Sequence, residues 1–189
     1  MEEDGKKLGR SSIAYLPQLE KITSSLTTFE TILLGLTKTL SWKVSEAQLA
    51  KVSQVIRELK LDAFANTPVR SLSGGQKQLV FLAQSFVSEP RLLLLDEPTS
   101  ALDVRYQLVV METVHRYCKK RNAVALYVIH DLMLASRFSD AVLFLHNGMA
   151  HAFDTPDAVL NSETIDPIYQ IESLIEKEQQ GDLTTHDSH

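Results

Sequence analysis

Two carboxylates stand side by side where an uncharged run ends: Asp96 and Glu97 in "LLLLDEPTS", residues 92–100. A continuous apolar run bounded by charges is the pattern of a strand buried on both faces of a parallel sheet, so the pair leaves a dry strand for a loop. Neighbours on an extended chain point in different directions. One carboxylate can therefore hold Mg²⁺ through its shell while the next polarises a water. A pair of helix-capping acids is the plainer alternative, but a cap needs a helix to begin at once, and Pro98 opens a loop instead.

His130 follows a second apolar run, "AVALYVI" at 123–129, in the same way. Its imidazole can contact a γ-phosphate or an attacking water and donate a hydrogen bond as charge develops. A lone histidine also serves as an ordinary satisfied polar residue; its place at a strand's carboxyl end is what points to function. His115, His146, His151, His186 and His189 lack that placement and lack metal-ligand spacing. Gln18, after "IAYLP", is a turn residue or, through its amide oxygen, a ligand of Mg²⁺ or of its water. Asp103 is a natural helix N-cap, a role compatible with a contact across an interface. "SLSGGQK" at 71–77 places Ser73 and the amides of Gly74 and Gly75 at a helix start, where unpaired N–H groups and the dipole favour a phosphate. A plain N-cap with a flexible start is the alternative there.

The elements that must carry these residues follow from periodicity. "IAYL" at 13–16 predicts a strand stopped by Pro17. Thr27 with Glu30, and Ser45 with Gln48, form the reciprocal capping pattern of two helices, the second striped by Leu49, Val52, Ile56 and Leu59. Residues from about 23 to 69 thus form an all-helical insert. A helix after Gly75 is striped by Leu79, Leu82, Ala83 and Phe86. Another from about Asp103 is striped by Val104, Leu108, Met111, Val114 and Cys118. Residues 123–129 predict a second strand buried like the first. "DLMLASRF" is a short helix, and Asn147-Gly148 predicts a hairpin whose two antiparallel strands end the sheet. Two short helices close the domain, and the polar tail from Glu172 is expected to fray. Strands alternating with helices give an α/β open sheet, whose ligands gather at the carboxyl ends of the strands.

Bulk properties narrow the function classes. A chain of 189 residues with 44% hydrophobic and 23% charged residues can bury a substantial core. The net charge of -5 argues against a nucleic-acid surface. The one basic run, Lys119-Lys120-Arg121, complements a helix dipole instead. Cys118 is the single cysteine, so neither an intrachain disulfide nor a cysteine metal cluster forms, as in a reducing compartment. "MEEDGKKLGR" is unlike a secretory signal, and no apolar run approaches the roughly 20 residues of a membrane span. Membrane association is expected through a partner.

Taken in order, these pieces resemble the ATP-binding subunit of an ABC transporter, from Ile13 to about Ile171. "LPQ" at 16–18 resembles the Q-loop, "LSGGQ" at 72–76 the family signature, and "LLLLDEP" at 92–98 the Walker B strand with its catalytic glutamate. "SALD" at 100–103 resembles the D-loop and His130 the switch histidine. The resemblance implies an ABC ATPase fold of the P-loop NTPase kind: a parallel-sheet core at residues 1–22 and 89–172, an all-helical subdomain carrying the signature at 23–88, and a flexible tail at 173–189. It implies ATP and Mg²⁺, with Asp96 and Gln18 serving the metal. Glu97 would be general base or water-positioning group, and His130 would stabilise the γ-phosphate. Ser73, Gly74, Gly75 and Gln76, with Asp103, would face ATP bound to the other subunit of a head-to-tail dimer. The helical subdomain would meet a membrane permease, placing the protein at the cytoplasmic face of the membrane, with no nucleic-acid partner. "LDVRYQ", "HDLMLASRFSDAVLFLHNGMA", "FDTP" and "DPIYQIE" resemble the branch that imports iron-siderophores, haem or cobalamin. Departures from that branch are Lys77, Leu79, Asp154 and Gln170.

Such a subunit is expected to carry a P-loop, G-x-x-x-x-G-K-[ST], some tens of residues before the Q-loop, with an aromatic that stacks on adenine. Only 17 residues precede Gln18 here, and "GKKLGRSS" does not fit that pattern. The expectation is an N-terminally truncated domain with the P-loop strand missing. Without the loop's lysine and amides, the isolated chain would neither bind ATP tightly nor hydrolyse it, and apolar sheet edges would be left exposed. A non-catalytic module that docks a permease or complements a partner's ATP is the rival of a different class. A DNA-repair ABC ATPase is a further alternative, though such proteins separate their halves by long coiled coils, and the insert here has no sustained heptads.

Overall fold

The computed structural model describes residues 2–3, 6–7, 12–18, 24–39 and 44–169. The expected tail and Gln170 lie outside the described residues. Contacts divide the chain into two compact units, Met1–Leu134 and Ala135–His189.

The first unit is built on a parallel sheet of three strands in the order β3-β4-β5, with β3 at Ile13–Leu16, β4 at Leu92–Asp96 and β5 at Val124–Val128. Tyr15 pairs with Leu94, and Leu94 with Leu126. Before them, β1 (Glu2–Glu3) and β2 (Lys6–Lys7) form an antiparallel pair. The helices start where the capping signals lie. In α1 (Thr28–Leu33), Thr27 and Glu30 cap each other reciprocally, and Ser45 and Gln48 do the same for α2 (Glu46–Glu58). α3 (Gly74–Phe86) and α4 (Val104–Arg121) follow, the latter ended by Asn122 in the left-handed conformation. The three basic residues of its last turn suit the helix dipole; Lys120 also pairs with Glu58 and Arg121 with Glu89.

Helical period was legible, but its phase shifts in two helices. The buried stripe of α2 is Val52, Val55 and Ile56, while Leu49 is exposed. On α4 it runs through Val110, Met111, Val114 and Tyr117, and Val104 is exposed. Each helix turns toward the neighbour it packs on, and sequence spacing alone does not say where that neighbour stands. Phe86 of α3 stacks on Tyr117 of α4 with ring centroids 4.0 Å apart, and the Tyr117 hydroxyl donates to the Pro90 carbonyl at 3.0 Å.

Helices α3 and α4 cover one face of the sheet, where Leu16, Leu93 and Leu95 join the main core. The other face is open along its two edge strands: Tyr15 is 60% exposed, Val124 64%, Leu126 58% and Val128 53%. This corrects the expectation that 123–129 is buried on both faces. An uninterrupted apolar run marks a strand with two apolar sides, but among the described residues only one side of β5 is covered.

In the second unit, β6 (Val142–His146) and β7 (Met149–Asp154) form the expected hairpin, with Asn147 at φ 49° and Gly148 at φ 75° supplying the two left-handed turn residues. The hairpin is a two-stranded sheet of its own and does not end the parallel sheet. Its turn is local and its strands pair with each other, so it closes without a third strand. The chain enters this unit along α5 (Leu132–Phe138), and α6 (Pro156–Val159) and α7 (Ser162–Tyr169) complete it. Among the described residues, no helix is long and apolar enough to cross a membrane.

Candidate functional site

The carboxyl ends of the three parallel strands bring four of the expected residues together. β3 runs into Pro17 and Gln18, β4 ends on Asp96 with Glu97 next, and β5 is followed by Ile129 and His130. Glu97 is the hub. Gln18 donates through Nε2 to Glu97 Oε2 at 2.8 Å, and His130 Nε2 lies 2.9 Å from Glu97 Oε1. Facing a carboxylate, that ring nitrogen carries the proton and donates. Both oxygens of Glu97 are thus engaged, each by a residue from a different strand end.

The loop leaving β4 is shaped to present this carboxylate. Glu97 has φ 44° and Ala101 φ 61°, both left-handed values that non-glycine residues rarely adopt. The Ser100 amide and hydroxyl both donate to the Glu97 carbonyl, at 3.2 and 3.0 Å. Gln18 Nε2 also reaches Ser100 Oγ at 3.4 Å, which leaves the Gln18 amide oxygen as the end turned to neither partner. Strain of this kind gathers where a side chain must be aimed.

Asp96 stands apart from the hub. Its Oδ2 accepts a hydrogen bond from the Tyr15 hydroxyl at 3.2 Å. Desolvation first, then the hydrogen bond to Asp96 and the carboxylate's charge, push the Tyr15 phenol above its ordinary value. Tyr15 was not among the expected site residues. Side-chain alternation puts it on the face opposite Leu16, but its neighbour across the sheet depends on strand register, which spacing does not reveal.

A cleft of about 110 Å³ opens beside Glu97 and His130, lined also by Thr99, Ser100, Gln107 and Asp131. Small-molecule pockets usually hold about 300–1,000 Å³, so this cleft has room for waters or an ion but not for a nucleotide. Gln107 reaches the Thr99 carbonyl from α4 at 3.4 Å. Asp131 caps α5, its Oδ1 accepting from the amides of Met133 and Leu134 at 2.9 and 3.0 Å.

The donors at the strand ends fit Mg²⁺ chemically, since the Asp96 carboxylate and the Gln18 amide oxygen are the hard oxygen ligands that cation takes. Among the described residues, no group of three or more His, Cys, Asp or Glu side chains forms a metal cage. That suits a cation bound by one or two carboxylates together with substrate phosphates and water.

The remaining expected residues lie on other elements. Ser73 caps α3: its Oγ accepts from the Gln76 amide at 3.3 Å, while Gln76 Oε1 accepts from the Ser73 amide at 2.9 Å. This reciprocal cap satisfies two of the helix's leading amides and does not reach those of Gly74 and Gly75. Gly74 is exposed and Gly75 buried. Asp103 caps α4, accepting from the Tyr106 amide at 3.0 Å.

Comparisons with known proteins follow the same lines. A family model described as ABC transporter matches residues 1–100. An uncharacterized ABC transporter ATP-binding protein of Methanocaldococcus jannaschii is 36% identical over 164 residues, covering 87% of this chain and 64% of that protein. The achromobactin transport ATP-binding protein of Dickeya dadantii is 31% identical over 165 residues, covering 86% of this chain and 61% of its own length. A hemin import ATP-binding protein of Rhodopseudomonas palustris is 35% identical over 136 residues, with 68% of this chain and 52% of that one covered. The chain thus spans between half and two thirds of the length of these relatives. A solved structure of a metal-chelate type ABC transporter in an inward-facing conformation superposes with a TM-score of 0.80 at 26% identity, covering 85% of this chain and 64% of that one.

Proposed function

The chain belongs to the ABC transporter family, and from that premise we propose that it furnishes one wall of an ATP site shared between two subunits, in ATP-driven import through a membrane permease. The observation that carries this reading is the Glu97 carboxylate held between Gln18 and His130 at 2.8 and 2.9 Å, at the ends of adjacent parallel strands. Glu97 accepts a hydrogen bond from the attacking water and takes its proton. His130 Nε2–H turns from Glu97 to the γ-phosphate as charge develops there. Gln18 steadies Glu97 with its amide nitrogen and offers its amide oxygen, with Asp96, to the metal. Mg²⁺, when bound, neutralises charge on the β- and γ-phosphate oxygens.

Ser73, Gly74, Gly75 and Gln76 face ATP held by the second subunit of a head-to-tail pair. The Gly74 and Gly75 amides and the Ser73 hydroxyl hydrogen are the donors, and Asp103 lies at the interface between the copies. The helical lobe at 23–88 docks the permease, beside the core at 1–22 and 89–172, and brings the protein to the cytoplasmic membrane face. Relatives named for achromobactin transport and hemin import support a metal chelate as cargo.

No G-x-x-x-x-G-K-[ST] occurs in the 189 residues. The hold on the β- and γ-phosphates therefore comes from outside them, and the 189-residue chain alone binds Mg-ATP weakly and does not turn it over. The same observation favours a second reading, in which the chain is a non-catalytic module that only completes a partner's site.

Fusing the P-loop strand and helix of an ABC ATP-binding subunit to the N-terminus tests both. The expected chimera hydrolyses Mg-ATP, and Glu97→Gln stops turnover while ATP still binds. A chimera that binds ATP without turnover, indifferent to Glu97→Gln, supports the module instead. Micromolar Mg-ATP affinity in the unfused chain would mean that these 189 residues hold the β- and γ-phosphates without a P-loop.

A further inference from the structure

The contact between Tyr15 and Asp96 has no place in the chemistry above. Tyr15 is paired with Leu94 in the sheet. Leu94 and Asp96 are two apart on one strand, so all three side chains rise from the same face. A tyrosine is long enough to reach the diagonal neighbour, and its hydroxyl meets Asp96 Oδ2 at 3.2 Å. The other neighbours of Asp96 on this face, Leu94 and Val128, are apolar and offer it nothing to bond.

An aspartate's terminal torsion is broad and roughly two-fold, so a carboxylate at a strand end turns freely unless something fixes it. A neutral phenol is suited to that task. It donates one hydrogen bond to one oxygen and leaves the negative charge intact, whereas a lysine or arginine in its place would neutralise the charge and compete with a cation. The bond does little for stability. With Tyr15 60% exposed, water would satisfy its hydroxyl almost as well.

Resting on the reading of Asp96 as a metal ligand, we propose that Tyr15 is a positioning residue for the metal site: its hydroxyl holds Asp96 by Oδ2 and leaves Oδ1 to a divalent cation. Partners of this kind orient a ligating carboxylate, and losing one typically costs ten- to a hundredfold in metal affinity, by about the same logic as a lost histidine partner.

Mn²⁺ serves as the probe, added to the isotope-labelled 189-residue chain while amide resonances are followed by NMR. Broadening at the Asp96 and Glu97 amides reads this site rather than the sum of surface carboxylates. Asp96→Asn should abolish that local broadening. Tyr15→Phe should raise the Mn²⁺ concentration for half-maximal broadening about tenfold, with an unchanged melting curve, since the ring stays and only the hydroxyl goes. If Asp96→Asn removes the broadening and Tyr15→Phe leaves the half-point unmoved, Tyr15 is a surface aromatic and the positioning role is wrong. If the wild-type chain shows no local broadening, or Asp96→Asn broadens like wild type, the metal assignment of Asp96 fails and takes the role of Tyr15 with it.

Discussion

Gly75 lies against the ring of Tyr106 so closely that a Cβ built on it would stand 2.2 Å from the ring's Cδ1, whereas a Cβ on Gly74 would meet only Leu102 Cδ2, at 3.8 Å. The adjacent glycines thus have different reasons to be glycine. One lets α3 pack on the first turn of α4; the other leaves an amide open at the helix start. Gly75→Ala should destabilise the fold by about 1–3 kcal/mol, as overpacking does. Gly74→Ala should stay within about 0.5 kcal/mol of wild type. Urea unfolding of the two variants separates them, and equal losses would mean that the Tyr106 contact does not distinguish the positions.

That difference also separates what the sequence makes legible from what only the fold reveals. "LSGGQ" announced a helix start and two amides for an anion, because capping chemistry is local: Ser73 and Gln76 are three residues apart. That Gly75 is packed by Tyr106, 31 positions away by subtraction of their numbers, required the fold. The strand-end cluster was legible for a related reason. Gln18, Glu97 and His130 each end an apolar run, and parallel strands bring such ends together whatever their register. Tyr15 lies inside its strand, where only register decides which side chain it meets. The open face of β5 was illegible altogether, since an apolar run reports that a residue can be buried and not what buries it.

The open face has a consequence in solution. Val124, Leu126 and Val128 form an exposed apolar surface on β5, an edge strand with no charge or proline to blunt it. The 189-residue chain is expected to self-associate as its concentration rises. Leu126→Lys should reduce that association while changing stability by no more than about 0.5 kcal/mol. Sedimentation velocity over a concentration series decides it; identical weight-average values for wild type and variant would remove this face as the cause.

Acid should loosen the first unit through two glutamates. The hydrogen bond from Lys51 first, with Lys51 and Arg121 adding their charge, holds the Glu89 carboxyl below its ordinary 4.5, and Lys120 does the same first for Glu58. A depressed folded-state pKa gives stability that is present above 4.5 and is lost as pH falls through the folded value. Glu89 is 41% exposed, so solvent screening keeps its share below about 1 kcal/mol. Urea midpoints of wild type should fall below about pH 4.5, and Glu89→Gln should flatten part of that slope. The difference between the two proteins should shrink in 1 M salt, to use a round figure of about three Å for the screening length.

Base should act through Tyr117, with the opposite sign. Burial between α3 and α4 pushes its phenol well above the ordinary 10.0, with the Arg121 charge opposing. A raised folded-state pKa gives stability that is fully present below 10.0 and is lost as pH climbs toward the folded value, because the unfolded chain ionises first. Tyr117→Phe keeps the stack on Phe86 but leaves the Pro90 carbonyl without its donor, a loss of about 1–3 kcal/mol at neutral pH. The variant has no phenol there to ionise, so its stability should fall less steeply in base. The two unfolding curves, well separated at neutral pH, should draw together above about pH 10. A constant gap across that range would mean that the Tyr117 hydroxyl already ionises as readily in the folded core as in the unfolded chain.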